Sequence, residues 1–220
     1  QARGIPCRIT GLNQEQIQLL SDLFPDKFRF HCDRDSYDYV YDIHDLADLK
    51  GRKYQKKRNH YNRFRESFPH YTVQPITQEL APVVLAMTEA WYEDKLRENP
   101  QGDYHMERSA LRRALKHMDA LGLEGLAILD GEEILAMTLG SQLSGNTFDV
   151  QFEKAIDDSA YVAMCSCFAS HLMEKYPQLV YLNREDDLGI EGLRKSKLAY
   201  NPVMLIEKHW ACLKEAGCEY

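Results

Sequence analysis

Hydrophobic and polar positions change period several times along the chain, and each change marks an element. Leu12, Ile17, Leu20 and Phe24 recur at helical spacing over about 14–24, with Asn13 as N-cap and Pro25 as stop. Strands are predicted at 5–9, at 27–32 and over Tyr37–Ile43, where Tyr37, Tyr39 and Tyr41 alternate with Asp38 and Asp42. A helix over about 45–66 follows and stops before Pro69. A second run opens with a strand at 71–76 and a long helix carrying Val84, Leu85, Met87, Trp91 and Tyr92. Then come a helix over about 106–120 and a hairpin of Glu124–Leu129 and Ile134–Gln142 around the Asp130-Gly131 turn. Ser144-Gly145-Asn146 turns into strand Thr147–Glu153. An apolar helix at about 159–175, a strand Gln178–Asn183, a helix Gly189–Ala199 and a strand Pro202–Lys208 complete the chain.

From residue 71 the order is β-α-α-β-β-β-α-β-α-β, which predicts an α/β mixed sheet with a central meander and helices on both faces. That order resembles the acyl-CoA N-acyltransferase (GNAT-like) fold. Residues 1–69 lack the opening strands of such a unit. The expected organisation is therefore tandem units: 1–69 as the closing part of a first one, ending in a basic helix, and 70–220 as the second. A preceding segment is expected to be missing.

Composition narrows the class. The 220 residues are 44% hydrophobic and 28% charged, which excludes general disorder and a membrane-embedded bundle. There is no run of 18 apolar residues and no apolar signal-peptide core, so the expectation is a cytoplasmic protein without an integral membrane segment. The six cysteines have no zinc-finger spacing and read as reduced; no metal is expected. The net charge of −7 hides a segregation: residues 50–65 hold eight Lys or Arg and no acid, leaving −15 on the rest. One dense basic patch on an acidic protein suits a phosphate-rich ligand bound at one place.

On one helix over Leu46–Phe68, the positions Leu46, Leu49, Lys53, Lys57, Tyr61, Phe64 and Phe68 share a side, so two lysines interrupt an apolar stripe. Lys56, Arg58 and His60 flank them. A solvated charged face fits this pattern; so does binding of the phosphates of a tRNA acceptor end.

In the fold resembled, a coenzyme pyrophosphate sits at the N-terminus of the helix after the meander, where close approach needs glycines and free N–H groups. Here that junction is Glu153-Lys154-Ala155-Ile156-Asp157-Asp158-Ser159-Ala160, without glycine and with two acids. Asp158 or Ser159 reads as an ordinary N-cap. Strand 147–153 places Asp149, Gln151 and Glu153 on one side by alternation, and strand 179–183 runs into Asn183-Arg184-Glu185-Asp186-Asp187. These two strands are expected to splay and leave a cleft. Carboxylates there suit capture of an ammonium group or general-base work, while Asn183, Arg184 and Arg194 suit a carbonyl oxygen. Asp186 and Asp187 also fit helix caps. His171, Trp91 and Tyr92 read as packing, and Cys165 and Cys167 lack a sequence neighbour that would make either a nucleophile.

Two segments carry a family resemblance: Tyr39–Asp42 through Asp45-Leu46 and Leu49–His60, and Tyr181–Leu198 with Tyr200–Val203. They resemble the bacterial proteins that share the C-terminal domain of phosphatidylglycerol lysyltransferases. The resemblance implies two acetyltransferase-like units and kinship with transferases that use aminoacyl-tRNA. The reading that follows is transfer of an aminoacyl group from aminoacyl-tRNA to an amine or hydroxyl, on a small molecule, a peptide or a lipid headgroup. In it Glu153, Asn183, Arg184 and Glu185 are catalytic, and Lys53, Lys56, Lys57, Arg58, His60, Asp187 and Arg194 bind substrate. No resident cofactor is expected. An acyl-CoA-dependent N-acyltransferase and a non-catalytic binding module with a degenerate cleft are the alternatives.

Overall fold

The computed structural model describes residues 8–214, so Cys7, Cys218 and the first residues of the expected 5–9 strand lie outside it. The chain forms two compact units: Tyr41–Arg184, and the chain up to Val40 joined to the chain from Glu185 onward. These units cut the chain at different places from the repeat boundary expected at 69/70.

The smaller unit opens with β1 (Arg8–Leu12), α1 (Gln14–Leu23), β2 (Phe28–Cys32) and β3 (Asp38–Asp42). Asn13 caps α1 through a reciprocal capping box with Gln16.

The larger unit holds α2 (Ile43–Asp48), a short 3-10 turn (Arg52–Tyr54) and α3 (Gln55–Ser67). Then follow β4 (Thr72–Pro75), α4 (Ala81–Glu98), α5 (His105–Lys116), α6 (Met118–Leu121), β5 (Glu124–Asp130), β6 (Glu133–Gln142), β7 (Thr147–Ala155), α7 (Asp158–Lys175) and β8 (Tyr181–Asn183). The single helix expected over 45–66 is therefore broken. Leu49 ends α2 in the left-handed region (φ 50°) and Gly51 follows at φ 85°. Arg58 holds this turn by donating to the carbonyls of Leu49 and Gly51. The break puts Lys53 in the 3-10 turn and Lys57 in α3, so they do not share one continuous helical face.

Strands β4-β5-β6-β7 run antiparallel in that order, and β8 joins β7 in parallel, giving the mixed α/β sheet that the element order predicts. One face is covered by α4 and α5 over Val84, Tyr92, Leu111, Leu115, Met137 and Leu139, all at most 2% exposed. On the other, α7 packs against the sheet and against α2 and α3. Phe148 and Phe168 meet edge to face at 5.5 Å, and the Ser166 hydroxyl donates to the Ala47 carbonyl at 2.6 Å.

Two irregularities in this sheet position the site. The β7·β8 register ends at Asp149↔Asn183, so the strands are unpaired beyond it, as the expected splay requires. A bulge in β7 lies between Val150 (opposite Gly140) and Phe152 (opposite Leu139). The extra residue, Gln151, shifts the alternation. Asp149, Gln151 and Glu153 therefore do not share one face as strict period 2 predicted. Glu153 turns to the α7 side with Phe148, while Phe152 packs with the α4–α5 core. Gly140 is required opposite the bulge, because a Cβ there would stand 2.0 Å from the Asp149 carbonyl oxygen.

The smaller unit is completed by α8 (Glu191–Leu198), β9 (Met204–Ile206) and β10 (His209–Leu213). β9 pairs with Asp38–Val40 of β3, and β1-β10-β2 form a three-stranded antiparallel sheet. The sequence reading predicted one strand over 202–208 and missed β10.

Candidate functional site

The site in the larger unit is built where β7 and β8 part. Arg184, one residue past β8, extends into the gap and is 2% exposed. Its Nε and Nη2 donate to one Glu153 carboxylate oxygen at 3.1 and 2.8 Å, and Nη2 also reaches the Tyr161 hydroxyl. The same carboxylate accepts from Tyr161 at 2.9 Å and from the Cys165 thiol at 3.5 Å. Tyr161 and Cys165 stand four apart on α7, so one helix face supplies both. The guanidinium also lies 5.3 Å from the Tyr161 ring and 5.5 Å from the Tyr41 ring. Burial works against its charge, but Cys165, Glu153 and the two phenols hold it protonated, well above its ordinary value. Burial drives the Tyr161 phenol up, with Arg184 opposing and Glu153 reinforcing. Asn183 is buried and, opposite Asp149, ends the parallel pairing.

Lys57 on α3 belongs to the same electrostatic group. Burial pulls its ammonium down to about 8; Arg184 pushes the same way, and Cys165 and Asp158 oppose. The rest of the basic segment is arranged differently. Lys53 is half exposed and bonds Asp45 at 2.7 Å; Lys56 is exposed; the His60 ring nitrogen meets Arg63 at 3.1 Å. Arg58 is occupied with the turn before α3. Asp157, one residue before Asp158 and two before Ser159, caps α7: its carboxylate accepts from the N–H groups of Ser159 at 2.7 Å and Ala160 at 2.8 Å. That carboxylate lies below its usual range: burial opposes its charge, but these bonds and the Ser159 hydroxyl outweigh burial.

The remaining predicted residues lie in the smaller unit. Asp187 is fully buried. It accepts from Arg194 Nε and Nη2, each at 2.8 Å, from the Tyr39 hydroxyl at 2.5 Å and from the Gly189 N–H at 2.9 Å. Arg194 holds the Asp187 carboxyl far below the usual carboxylate range; burial opposes this, and Tyr39 and Gly189 add to it. Arg194 reaches Asp35 as well, at 2.5 Å. Glu185 is exposed and adopts φ 54°, and its carbonyl accepts from the Tyr39 N–H at 3.1 Å. Gly189 has φ +72°, and a Cβ on it would meet Asp35 Oδ2 at 2.5 Å. Gly189→Ala is therefore expected to destabilise the chain by about 1–3 kcal/mol. Urea unfolding checks this; a midpoint equal to the parent's contradicts it.

Sequence reasoning missed Tyr161, Cys165 and Tyr39 as partners of the predicted acids. It also missed Lys154, which is buried against Glu107 at 2.6 Å and lies 4.4 Å from the Trp91 ring. The available signals were the i, i+4 pair on the apolar helix and a lysine within an otherwise apolar strand pattern.

A crystal structure of a conserved protein of unknown function from Bacteroides thetaiotaomicron is 40% identical, with a TM-score of 0.87 over 97% of this chain and 71% of that one. L-PGS from Bacillus licheniformis shares the fold at 16% identity, with a TM-score of 0.63 over 96% of this chain and 68% of that one. An uncharacterized protein of Mycoplasmoides gallisepticum is 25% identical over 79% of this chain, and the match spans 55% of that relative's length. The family profile described as phosphatidylglycerol lysyltransferase, C-terminal, matches residues 1–212, and the chain belongs to that family.

Proposed function

We propose that this chain is an acyltransferase that moves an aminoacyl group from aminoacyl-tRNA to an amine or hydroxyl acceptor. The observation that carries the reading is Lys57, a partly buried amine held at about 8 beside the Arg184–Glu153–Tyr161 group. Near neutral pH a fraction of it is unprotonated and able to accept a proton. The acceptor nitrogen or oxygen attacks the ester carbonyl and gives its proton to Lys57. The bond from the acyl carbon to the ribose oxygen then breaks, and that oxygen takes the proton from Lys57. Glu153 and Arg184 act on this step through each other and through Lys57: burial keeps Lys57 low, and the positive charge of Arg184, fixed by Glu153, pushes the same way. Both are positioning residues in this reading. Lys53 and Lys56, exposed on the same unit, supply charge for donor phosphates.

The Asp157 cap supports aminoacyl-tRNA over acyl-CoA as donor. It occupies the N–H groups that a pyrophosphate would need at the start of α7 and adds a negative charge there. Among the described residues no helix is long and apolar enough to cross a membrane. A lipid acceptor would therefore have to be met at its headgroup or delivered by another part of a longer protein.

The test is binding. Aminoacyl-tRNA should bind with a steep salt dependence, and Lys53→Glu with Lys56→Glu should weaken it at least ~10-fold at low salt. Acetyl-CoA should leave the melting temperature unchanged. A rise of several degrees with acetyl-CoA, and no binding of aminoacyl-tRNA, would overturn the reading.

A further inference from the structure

Three side chains from two distant parts of the sequence meet at one end of the three-stranded sheet. Cys32 of β2 and His209 of β10 are direct register partners in an antiparallel pair, so their side chains leave the same face. Glu207 stands two residues before His209 and reaches the same place. The Cys32 sulfur, a Glu207 carboxylate oxygen and a His209 ring nitrogen all lie within 4.8 Å of one another. His209 Nε2 is 3.5 Å from the Glu207 carboxylate and 3.2 Å from the Gln14 amide nitrogen. With the ring proton on Nδ1, the Nε2 lone pair faces this cluster.

We propose that Cys32, Glu207 and His209 form a binding site for a divalent transition metal, with zinc the ion that the donors fit best. A thiol, an imidazole and a carboxylate are together the donor set of zinc rather than of magnesium or calcium. Ligand bonds of about 2.0–2.3 Å place tetrahedral donors about 3.3–3.8 Å apart. Cys32 and Glu207 are exposed and close the remaining distance by rotamer adjustment, whereas the His209 side chain is only 10% exposed and fixed in the central strand. One thiolate and one carboxylate neutralise the ion. The Tyr37 hydroxyl, 3.3 Å from the Cys32 sulfur, is placed to donate to the thiolate as an outer support. Three protein ligands leave a fourth position for Gln14 or a small molecule. No short spacing motif announces the site, because its ligands are brought together by the β2·β10 register alone.

The experiment uses the full chain, kept reduced, with zinc chloride titrated against a chromophoric chelator and cobalt chloride as a spectroscopic probe. One equivalent of zinc is expected, together with a sulfur-to-cobalt charge-transfer band that is absent in Cys32→Ser. Cys32→Ser and Glu207→Gln should each weaken zinc binding by at least ~10-fold, while Cys167→Ser leaves it unchanged. Both variants are at exposed positions, so the test does not depend on whether His209→Gln folds. Absence of stoichiometric binding, or binding by Cys32→Ser and Glu207→Gln equal to the parent's, overturns the proposal.

Discussion

Replacing Arg184 with methionine is expected to lower the unfolding free energy by about 3–5 kcal/mol, because it strands the Glu153 carboxylate in a site where its side chain is only 14% exposed. In a chain of this size that corresponds to a melting temperature roughly 10 °C lower. Removing both charges, in Arg184→Met with Glu153→Leu, should recover most of the loss, because neither ion is then left without its counterpart. The double-mutant cycle separates this from a simple packing defect. A single variant within about 0.5 kcal/mol of the parent would contradict the buried ion pair. The same variant bears on chemistry. Arg184 is one of the groups pushing the Lys57 ammonium down, so its removal should raise that value and move the pH–rate profile upward.

Lys57 carries the second large effect. Transfer should rise with pH through about 8, because only the neutral amine accepts a proton. Lys57→Arg keeps the positive charge but not the proton acceptor, and should lose ~10²–10⁴-fold in kcat, as should Lys57→Gln. Full activity in Lys57→Arg would make this residue a phosphate anchor instead. The folded-state value lies below the ordinary lysine value of about 10.4, so folding carries a penalty that is complete below about 8 and is relieved as the pH rises between the two. Lys57→Met should therefore be inactive yet more stable at neutral pH. After discounting for partial exposure the gain is about 1 kcal/mol, or about 2–4 °C.

The legible and illegible parts of the chain divide along physical lines. Elements such as the apolar α7 and the hairpin around Asp130-Gly131 could be read because a long apolar run buried on several sides and a tight turn leave local marks. The broken basic helix could not, because the break depends on a leucine in a left-handed conformation, held by an arginine that reaches back to two carbonyls. The orientation of Glu153 was hidden for a similar reason: one bulged residue opposite Gly140 reverses the alternation, and strict period 2 has no term for it. Among the candidate residues, Glu153 and Arg184 came from two strands expected to lie side by side, and they meet in space. What the residue types alone did not tell was that they bind each other, or that Tyr161 and Cys165 complete the group. Asp187 pairs with Arg194 in the same way, and its bond from the Tyr39 hydroxyl is a long-range fact that a linear reading of the acidic loop does not contain.

The most direct test of the central claim is transfer itself. The folded chain is mixed with aminoacyl-tRNAs labelled in the amino acid, together with cell extract and vesicles containing phosphatidylglycerol as acceptors. The account predicts that label leaves tRNA faster than by spontaneous hydrolysis and appears covalently on an amine or hydroxyl, with Lys57→Arg abolishing the acceleration. Loss of label at the spontaneous rate for every aminoacyl-tRNA, from protein that melts cooperatively, would contradict it.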